Sequence, residues 1–212
     1  MTSLPFTRPR LRAIIAAAVI LVVVSCGERE TILDKVREQY EAGEYREAIF
    51  LARHHFRRGG ERSAPLIFLM GRSYLQLGIE AEAEDAFEEL YRADSTWAPR
   101  IAAELRDEAL RDLEEGNEPR GKRFVARALV YDDDCSFGAW DALAGRVLLD
   151  RREYARAAMF FERWLASRPD SAGAAETLLN LGEARENAGE IEGAMRAYRE
   201  FLERYPLSRL QT

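Results

Sequence analysis

The feature that most constrains this fold is a pattern of apolar, glycine, aromatic and alanine residues that recurs every 35–38 residues. The clearest copies contain Ile67, Met70, Gly71, Tyr74, Gly78, Ala83, Phe87 and Leu90; Ala144, Gly145, Leu148, Ala157, Phe161, Trp164 and Pro169; and Leu178, Leu181, Gly182, Gly189, Ala194, Tyr198, Phe201 and Pro206. A repeat of this length is typical of chains built from stacked copies of one supersecondary unit, none of which can bury its apolar face alone.

Two weaker copies fill the gaps between the clear ones. The first is marked by Gly43, Tyr45 and Ala48, and the second by Leu105, Gly116, Val125 and Ala128. The second weak copy lacks both the paired leucine and glycine and the closing proline. We therefore predict five units, near residues 29–62, 64–97, 102–135, 138–171 and 175–208, with Ser95–Trp97 and Ser171–Gly173 as extra loop.

Together these marks resemble the tetratricopeptide repeat. The resemblance implies an all-α fold, a right-handed superhelical solenoid of about five helix hairpins with a concave groove. Apolar residues at helical spacing over 154–165 and 191–202 favour the same helices. The alternative is a generic helical bundle in which the glycines recur by chance.

Each mark has a physical role in such a hairpin. We expect mid-helix glycines to let two helices approach closely, and the aromatic residue of the second helix to fill the gap between neighbouring hairpins. Turn glycines supply a positive φ at low steric cost. Arg152 takes that place in the fourth unit, so its turn should be strained or reshaped. Pro169 and Pro206 should end second helices.

The last unit is predicted to leave one apolar helix face uncovered. Residues 207–210 are too short to form a polar capping helix. The outer side of the last helix is therefore either exposed or a contact surface.

The first 25 residues have the features of a secretory signal. Arg8, Arg10 and Arg12 precede an apolar run of 12 residues, 13–24. About 20 residues are needed to span a bilayer, so this run fits the apolar part of a signal peptide. The alternative is a signal anchor that stays in the membrane.

Residues 23–26, Val-Val-Ser-Cys, resemble a bacterial lipobox. The resemblance implies that Cys26 is lipidated, that residues 1–25 are removed, and that 26–212 form the mature, membrane-anchored protein. Residue 27 is glycine rather than aspartate, which implies an outer-membrane, periplasm-facing location. Removal of the three arginines takes the formal charge from −6 to −9, which argues against nucleic-acid binding.

No enzyme, cofactor or metal motif is present in the sequence. His54 and His55 are adjacent, so on a helix they would not face one metal. Residues 132–134, all aspartate, lack the spacing of a calcium loop and are better explained as a solvated acidic turn. With Cys26 lipidated, Cys135 cannot form an intramolecular disulfide; it is either half-buried or pairs between chains.

The groove positions of the repeat can be carried over to the first helix of each unit. These candidates for peptide binding are Arg37, Tyr40, Arg72, Gln76, Arg106, Leu110, Arg146, Asn180, Glu183 and Asn187. Arginine binds carboxylates through two hydrogen bonds, which suggests an extended or helical peptide with acidic groups. The alternative is that these arginines pair with acidic residues of adjacent hairpins.

A lipobox followed by five such repeats resembles the BamD-like lipoprotein family of the outer-membrane β-barrel assembly machinery. That resemblance implies docking to the periplasmic domain of a barrel protein and receipt of unfolded barrel precursors. The alternative is an envelope organiser that tethers pilus, division or peptidoglycan machinery. A third, less favoured class is an envelope hydrolase. The partner and the oligomeric state stay open.

Overall fold

The computed structural model describes residues 31–206, and this part of the chain is entirely helical. Its ten α-helices are α1 (Ile32–Glu41), α2 (Tyr45–Arg57), α3 (Ala64–Gln76), α4 (Glu80–Ala93), α5 (Ala98–Glu114), α6 (Glu118–Tyr131), α7 (Asp141–Asp150), α8 (Tyr154–Ser167), α9 (Ala174–Asn187) and α10 (Ile191–Arg204). Consecutive helices pair as five hairpins. The predicted all-α fold of five hairpins is confirmed.

The described residues divide into two compact units, with the boundary after Glu61. The first unit is the α1–α2 hairpin. A capping box begins α1: Thr31 Oγ1 accepts from the Asp34 amide at 3.2 Å, and the Thr31 amide donates to Asp34 Oδ2 at 3.0 Å. The buried side chains of Val36 and Ala48 lie in this hairpin.

The second unit contains the other four hairpins. Hairpins 4 and 5 join where α9 packs along α8, and α6 packs on α7 in the same manner. Hairpins 2 and 3 are joined differently: a 3₁₀ turn, Ser95–Trp97, packs on both α4 and α5. The ring of Trp97 lies 5.1 Å from that of Phe68 on α3.

Within three hairpins, a glycine of the first helix lies against an aromatic ring of the second. A Cβ added to Gly71 would be 2.7 Å from the Phe87 ring, and one added to Gly145 would be 2.6 Å from the Phe161 ring; Gly182 has the same relation to Tyr198. The aromatic ring thus lies over the glycine of its own hairpin; that it also fills the gap to the neighbouring hairpin stays a prediction.

Where the aromatic residue is missing, the glycine is missing too. At the equivalent positions hairpin 3 has Ala109 and Val125, and hairpin 1 has Val36 and Ala52, all fully buried. A smaller side chain on the second helix thus accompanies a larger one on the first. The total volume is kept near what a close-packed interior needs.

The turn inside each hairpin has a residue in the left-handed region, as predicted. Four of these residues are glycine, with φ of 79° at Gly43, 70° at Gly78, 82° at Gly116 and 81° at Gly189. The fourth hairpin has Arg152 with φ of 62°. Its turn keeps the same form, because the Glu153 amide donates to the Leu148 carbonyl at 2.9 Å, just as Glu190 donates to Arg185 at 2.8 Å. Of the two predicted outcomes, the structure has the strained turn and not the reshaped one.

Helix ends follow the sequence signals closely, with one difference. The helices α8 and α10 end two residues before Pro169 and Pro206, as predicted. The first helix of the third hairpin begins at Ala98 and not near residue 102, with Pro99 in its first turn. Proline is favoured there because its missing N–H has no partner to lose. The exact repeat boundaries remain a prediction.

Candidate protein-binding surface

The groove candidates lie on the first helices of the hairpins, as the resemblance implied. In the first unit, Arg37 forms an exposed ion pair with Asp34 on its own helix, at 3.4 Å. The ring of Tyr40 lies 5.4 Å from that of Tyr45. Both contacts stay inside the α1–α2 hairpin.

In hairpin 2, both candidate side chains are engaged by hairpin 3. Arg72 Nε lies 2.9 Å from Glu104 Oε2, and Gln76 Nε2 donates to Glu108 Oε1 at 3.2 Å. Burial raises the pKa of Glu104 even though Arg72 opposes the shift. These partly buried contacts tie α3 to α5, so Arg72 and Gln76 act first as structural residues.

A buried charge cluster beside them was not foreseen from the sequence. Glu108 and Asp112 are almost fully buried on α5. Arg120 of α6 binds Asp112 at 2.8 Å and Glu80 of α4 at 2.7 Å. An arginine shared between two acidic side chains compensates their desolvation. The signal in the sequence was the pair of acids one helical turn apart, but their partner lies on another helix.

Glu80 is the point where this cluster reaches hairpin 2. Burial alone would raise its pKa, but the hydrogen bond and charge of Arg120 outweigh burial, together with the charges of Arg123 and Arg127, and lower it. Arg127 also pairs with Glu84. Hairpins 2 and 3 are thus joined by ion pairs.

Within residues 31–206, the remaining candidate pair on α5, Arg106 and Leu110, forms no ion pair with another hairpin. Arg106 pairs with its neighbour Asp107 at 2.9 Å, and Leu110 is half-buried. Neither residue is brought near Arg146 or Asn180 by an observed contact.

Arg146 and Asn180 do come together, at a cavity between hairpins 4 and 5. We call it the 4/5 pocket; its volume is about 210 Å³, and its lining comprises Ala139, Trp140, Ala142, Leu143, Arg146, Trp164, Gly173, Glu176, Thr177 and Asn180. Arg146 Nη1 lies 2.7 Å from Glu176 Oε1 at its rim, and both side chains are about half exposed, at 42% and 55%. The floor is apolar and aromatic.

The aromatic floor is held in place by buried and partly buried hydrogen bonds. The Trp164 indole donates to the Ala139 carbonyl at 2.9 Å. Asp141, which begins α7, accepts from the Phe137 amide at 2.7 Å and from Arg163 Nε at 2.8 Å. These bonds fix the 3₁₀ turn Gly138–Trp140, so the pocket is pre-formed.

Two further candidates, Asn187 and Glu183, lie on α9, and within residues 31–206 neither forms an ion pair with a following hairpin. The Asn187 amide donates to the Glu183 backbone carbonyl at 2.9 Å. The Glu183 side chain is exposed, and no ion pair to it is seen within residues 31–206.

Other residues singled out from the sequence have ordinary packing roles. His54 stacks on Phe50, and His55 lies against Gly60. Asp133 pairs with Arg156 at 3.0 Å. In the described part of the chain no three His, Cys, Asp or Glu side chains are grouped so that they could hold a metal ion.

Cys135 is buried more completely than the half-buried position predicted. Burial raises the pKa of its thiol to about 11. The signal segment, the lipobox and Cys26 lie outside the described residues. Between residues 31 and 206, none of the helices combines the length and apolar character needed to cross a membrane.

Comparison with known proteins supports the repeat assignment at the C-terminal end. The family model "Tetratricopeptide repeat" matches residues 176–208, which covers hairpin 5. No curated protein matches the sequence. A tetratricopeptide match supports a protein-interaction scaffold in general terms.

Several solved structures match this chain at low identity. MamA is 16% identical, with 82% of this chain and 90% of that chain covered and a TM-score of 0.42. BtubC from P. vanneervenii is 18% identical over 92% and 91% of the two chains, with a TM-score of 0.35. A Podosopora anserina protein with nearly identical TPR-like repeats is 14% identical over 84% and 95%, with a TM-score of 0.37. These similarities carry no information about partners.

Proposed function

We propose that this protein is a non-catalytic, membrane-anchored scaffold of the cell envelope that binds a partner polypeptide at the 4/5 pocket. The observation that carries the proposal is the combination of a fixed aromatic floor with an exposed ion pair, Arg146–Glu176, at its rim.

The exposure of the Arg146–Glu176 pair makes it exchangeable. Surface ion pairs stabilise a fold by about 0–1 kcal/mol, so a carboxylate of a partner can replace Glu176 at Arg146 with little loss. Arg72 differs because its partner Glu104 is partly buried, and removal of one member of a buried pair is costly. Arg146 is therefore the binding arginine and Arg72 the structural one.

The volume of the 4/5 pocket also limits the size of the ligand that can enter it. A volume of about 210 Å³ is below the roughly 300–1,000 Å³ of pockets for whole small molecules, and it suits one large apolar side chain. The Asn180 amide offers both a donor and an acceptor to an extended backbone. The fitting ligand is a peptide with an apolar anchor next to an aspartate, glutamate or terminal carboxylate.

The test compares charge reversals at matched sites. Arg146→Glu should remove the principal partner from a pull-down out of detergent-solubilised envelopes, without a change in thermal stability. Arg196→Glu, an exposed position on α10, is the matched control and should retain the partner. Arg72→Glu should instead lower the unfolding midpoint, because Glu104 loses its counter-charge. Retention of every partner by Arg146→Glu would refute the pocket assignment.

Within the envelope, we favour a role in outer-membrane protein assembly. The lipobox-like residues 23–26 and the position of the repeats directly after them support this role. Recovery of an outer-membrane barrel with periplasmic repeat domains would agree with it. Recovery of pilus, division or peptidoglycan proteins would favour the envelope organiser instead. Cys26→Ala should release the protein from membranes, and unchanged membrane association would contradict the anchor.

A further inference from the structure

The last helix of the described chain has an uncovered apolar stripe. We call the α10 seam the four residues Ile191, Met195, Tyr198 and Leu202, which share one side of α10; the Tyr198 ring is half-buried because it also lies over Gly182 of α9. Ile191, Met195 and Leu202 are 56%, 55% and 55% exposed. A different side of the helix, with Ala194, Ala197 and Phe201, is buried in the hairpin with α9.

The equivalent stripe of the preceding hairpin is a helix-stacking surface. Counting from the turn residue, the positions on α8 are Tyr154, Ala158, Phe161 and Leu165. The next helix, α9, packs along α8, and Ala158 and Phe161 are 4% and 0% exposed. The α10 seam is thus a surface of the kind that receives a helix, and none lies on it within residues 31–206.

The charge beside the seam specifies the helix that would fit. In hairpins 2 and 4, the residue after the closely packed glycine is Arg72 or Arg146. Each of them pairs with a glutamate of the following first helix, Glu104 or Glu176. In hairpin 5 the same position is Glu183, which is exposed. A helix that stacks on α10 would therefore lie next to the Glu183 carboxylate, whereas α9, which stacks on α8, lies next to Arg146.

We propose that the α10 seam binds an amphipathic helix of a partner protein, with a lysine or arginine near its start that pairs with Glu183. A second copy of this chain fits less well, because its own first helix has Asp34 in the first turn. This proposal and the proposed scaffold function have only one thing in common, which is that each involves binding of a partner protein. It does not depend on the 4/5 pocket.

The probe is the chain's own α9 sequence, residues 174–187, as a stapled, fluorescein-labelled peptide with Glu176→Lys. The staple is needed because isolated helices of this length are marginal in water. The control peptide has the native Glu176. The lysine peptide should bind the mature protein about tenfold more tightly, since it replaces a like-charge contact with an ion pair. Glu183→Arg in the protein should reverse that preference, and Met195→Glu should abolish binding of both peptides.

Three results would overturn the proposal. The first is equal affinity for the two peptides, or a preference unchanged by Glu183→Arg. The second is a self-association in sedimentation that Met195→Glu removes, which would make a second copy the occupant. The third is tighter peptide binding after deletion of residues 207–212, which would assign the seam to the chain's own tail. The peptide assay reports on the α10 seam and the pull-down with Arg146→Glu reports on the 4/5 pocket, so failure here is distinct from failure of the pocket assignment.

Discussion

Replacement of Arg152 by glycine should stabilise the protein. Arg152 adopts a φ of 62° in the α7–α8 turn, and it is the non-glycine residue with positive φ in the described chain. Its side chain is exposed. Its amide donates to the Leu149 carbonyl at 2.9 Å, and glycine retains that bond.

The size of the effect follows from two opposing costs. The left-handed conformation costs an L-residue other than glycine about 1–2 kcal/mol. Glycine loses more conformational freedom on folding, which costs about 0.5–1 kcal/mol. The net gain for Arg152→Gly is therefore about 0.5–1 kcal/mol. For a chain of this length that corresponds to a rise of about 1–4 °C in Tm.

The matched control is the reverse change in the turn of hairpin 3. Gly116 has a φ of 82°, and a Cβ placed there meets no atom within 4 Å. Gly116→Arg should therefore destabilise through the backbone alone, by about the same amount with opposite sign. Urea unfolding measures both variants, and amide exchange of α7 and α8 locates the effect, since a repeat chain is stabilised locally.

A lower or unchanged urea midpoint for Arg152→Gly, with a normal loss for Gly116→Arg, would refute the reasoning. It would mean that the arginine side chain contributes more to stability than its backbone strain removes. Equal changes of the same sign in both variants would show that the two turns are not equivalent.

Three further predictions test the core, the charge cluster and the thiol. Gly182→Leu should lower the free energy of unfolding by about 1–3 kcal/mol through overpacking against the Tyr198 ring, and an unshifted melting curve would show that the repeat register is wrong. The pKa of Glu80 is lowered in the folded protein, so its stabilising contribution is complete above the ordinary value of 4.5 and is lost as the pH falls through the lower folded value. Glu80→Gln should therefore flatten the acid part of the profile of stability against pH, measured by urea unfolding. Superimposable profiles of the two proteins would contradict this prediction. Because burial raises the pKa of Cys135 to about 11, a thiol reagent at about pH 8 should label it only after unfolding, so rapid labelling of the native protein would exclude this burial.

The hairpins could be predicted from the sequence because their determinants are local. Gly71 and Phe87 belong to one hairpin, and the turn residue between them lies at a fixed distance along the chain. Even the exception at Arg152 was visible, since an arginine stood where the other units have glycine. A pattern that lies within one repeat unit therefore predicts both the two helices of the hairpin and their close approach.

The contacts between hairpins were harder to predict, because each depends on a residue from another unit. Glu108 and Asp112 look like solvated helix positions until Arg120 is placed beside them. Trp140 ends a 3₁₀ turn before α7, as Trp97 does before α5, but the bonds of Asp141 that hold this turn over the pocket come from the structure and not from the repeat pattern. Sequence reasoning placed Arg72 and Arg146 on the same face but could not tell the partly buried pair from the exposed one.

These junctions give the repeated hairpins different tasks. At the stacking positions where hairpin 4 has Tyr154 and Ala158, hairpin 2 has Glu80 and Glu84, which bind arginines of α6. Ion pairs of this kind are weakened by salt and acid, whereas the apolar packing of α8 on α9 is not. A pocket that must keep its shape while it exchanges one carboxylate for another is best placed at the junction whose stacking positions are apolar, even though Arg185 and Glu162 also form an ion pair there. The 4/5 pocket lies there, which is a physical reason to assign binding to Arg146 and not to Arg72.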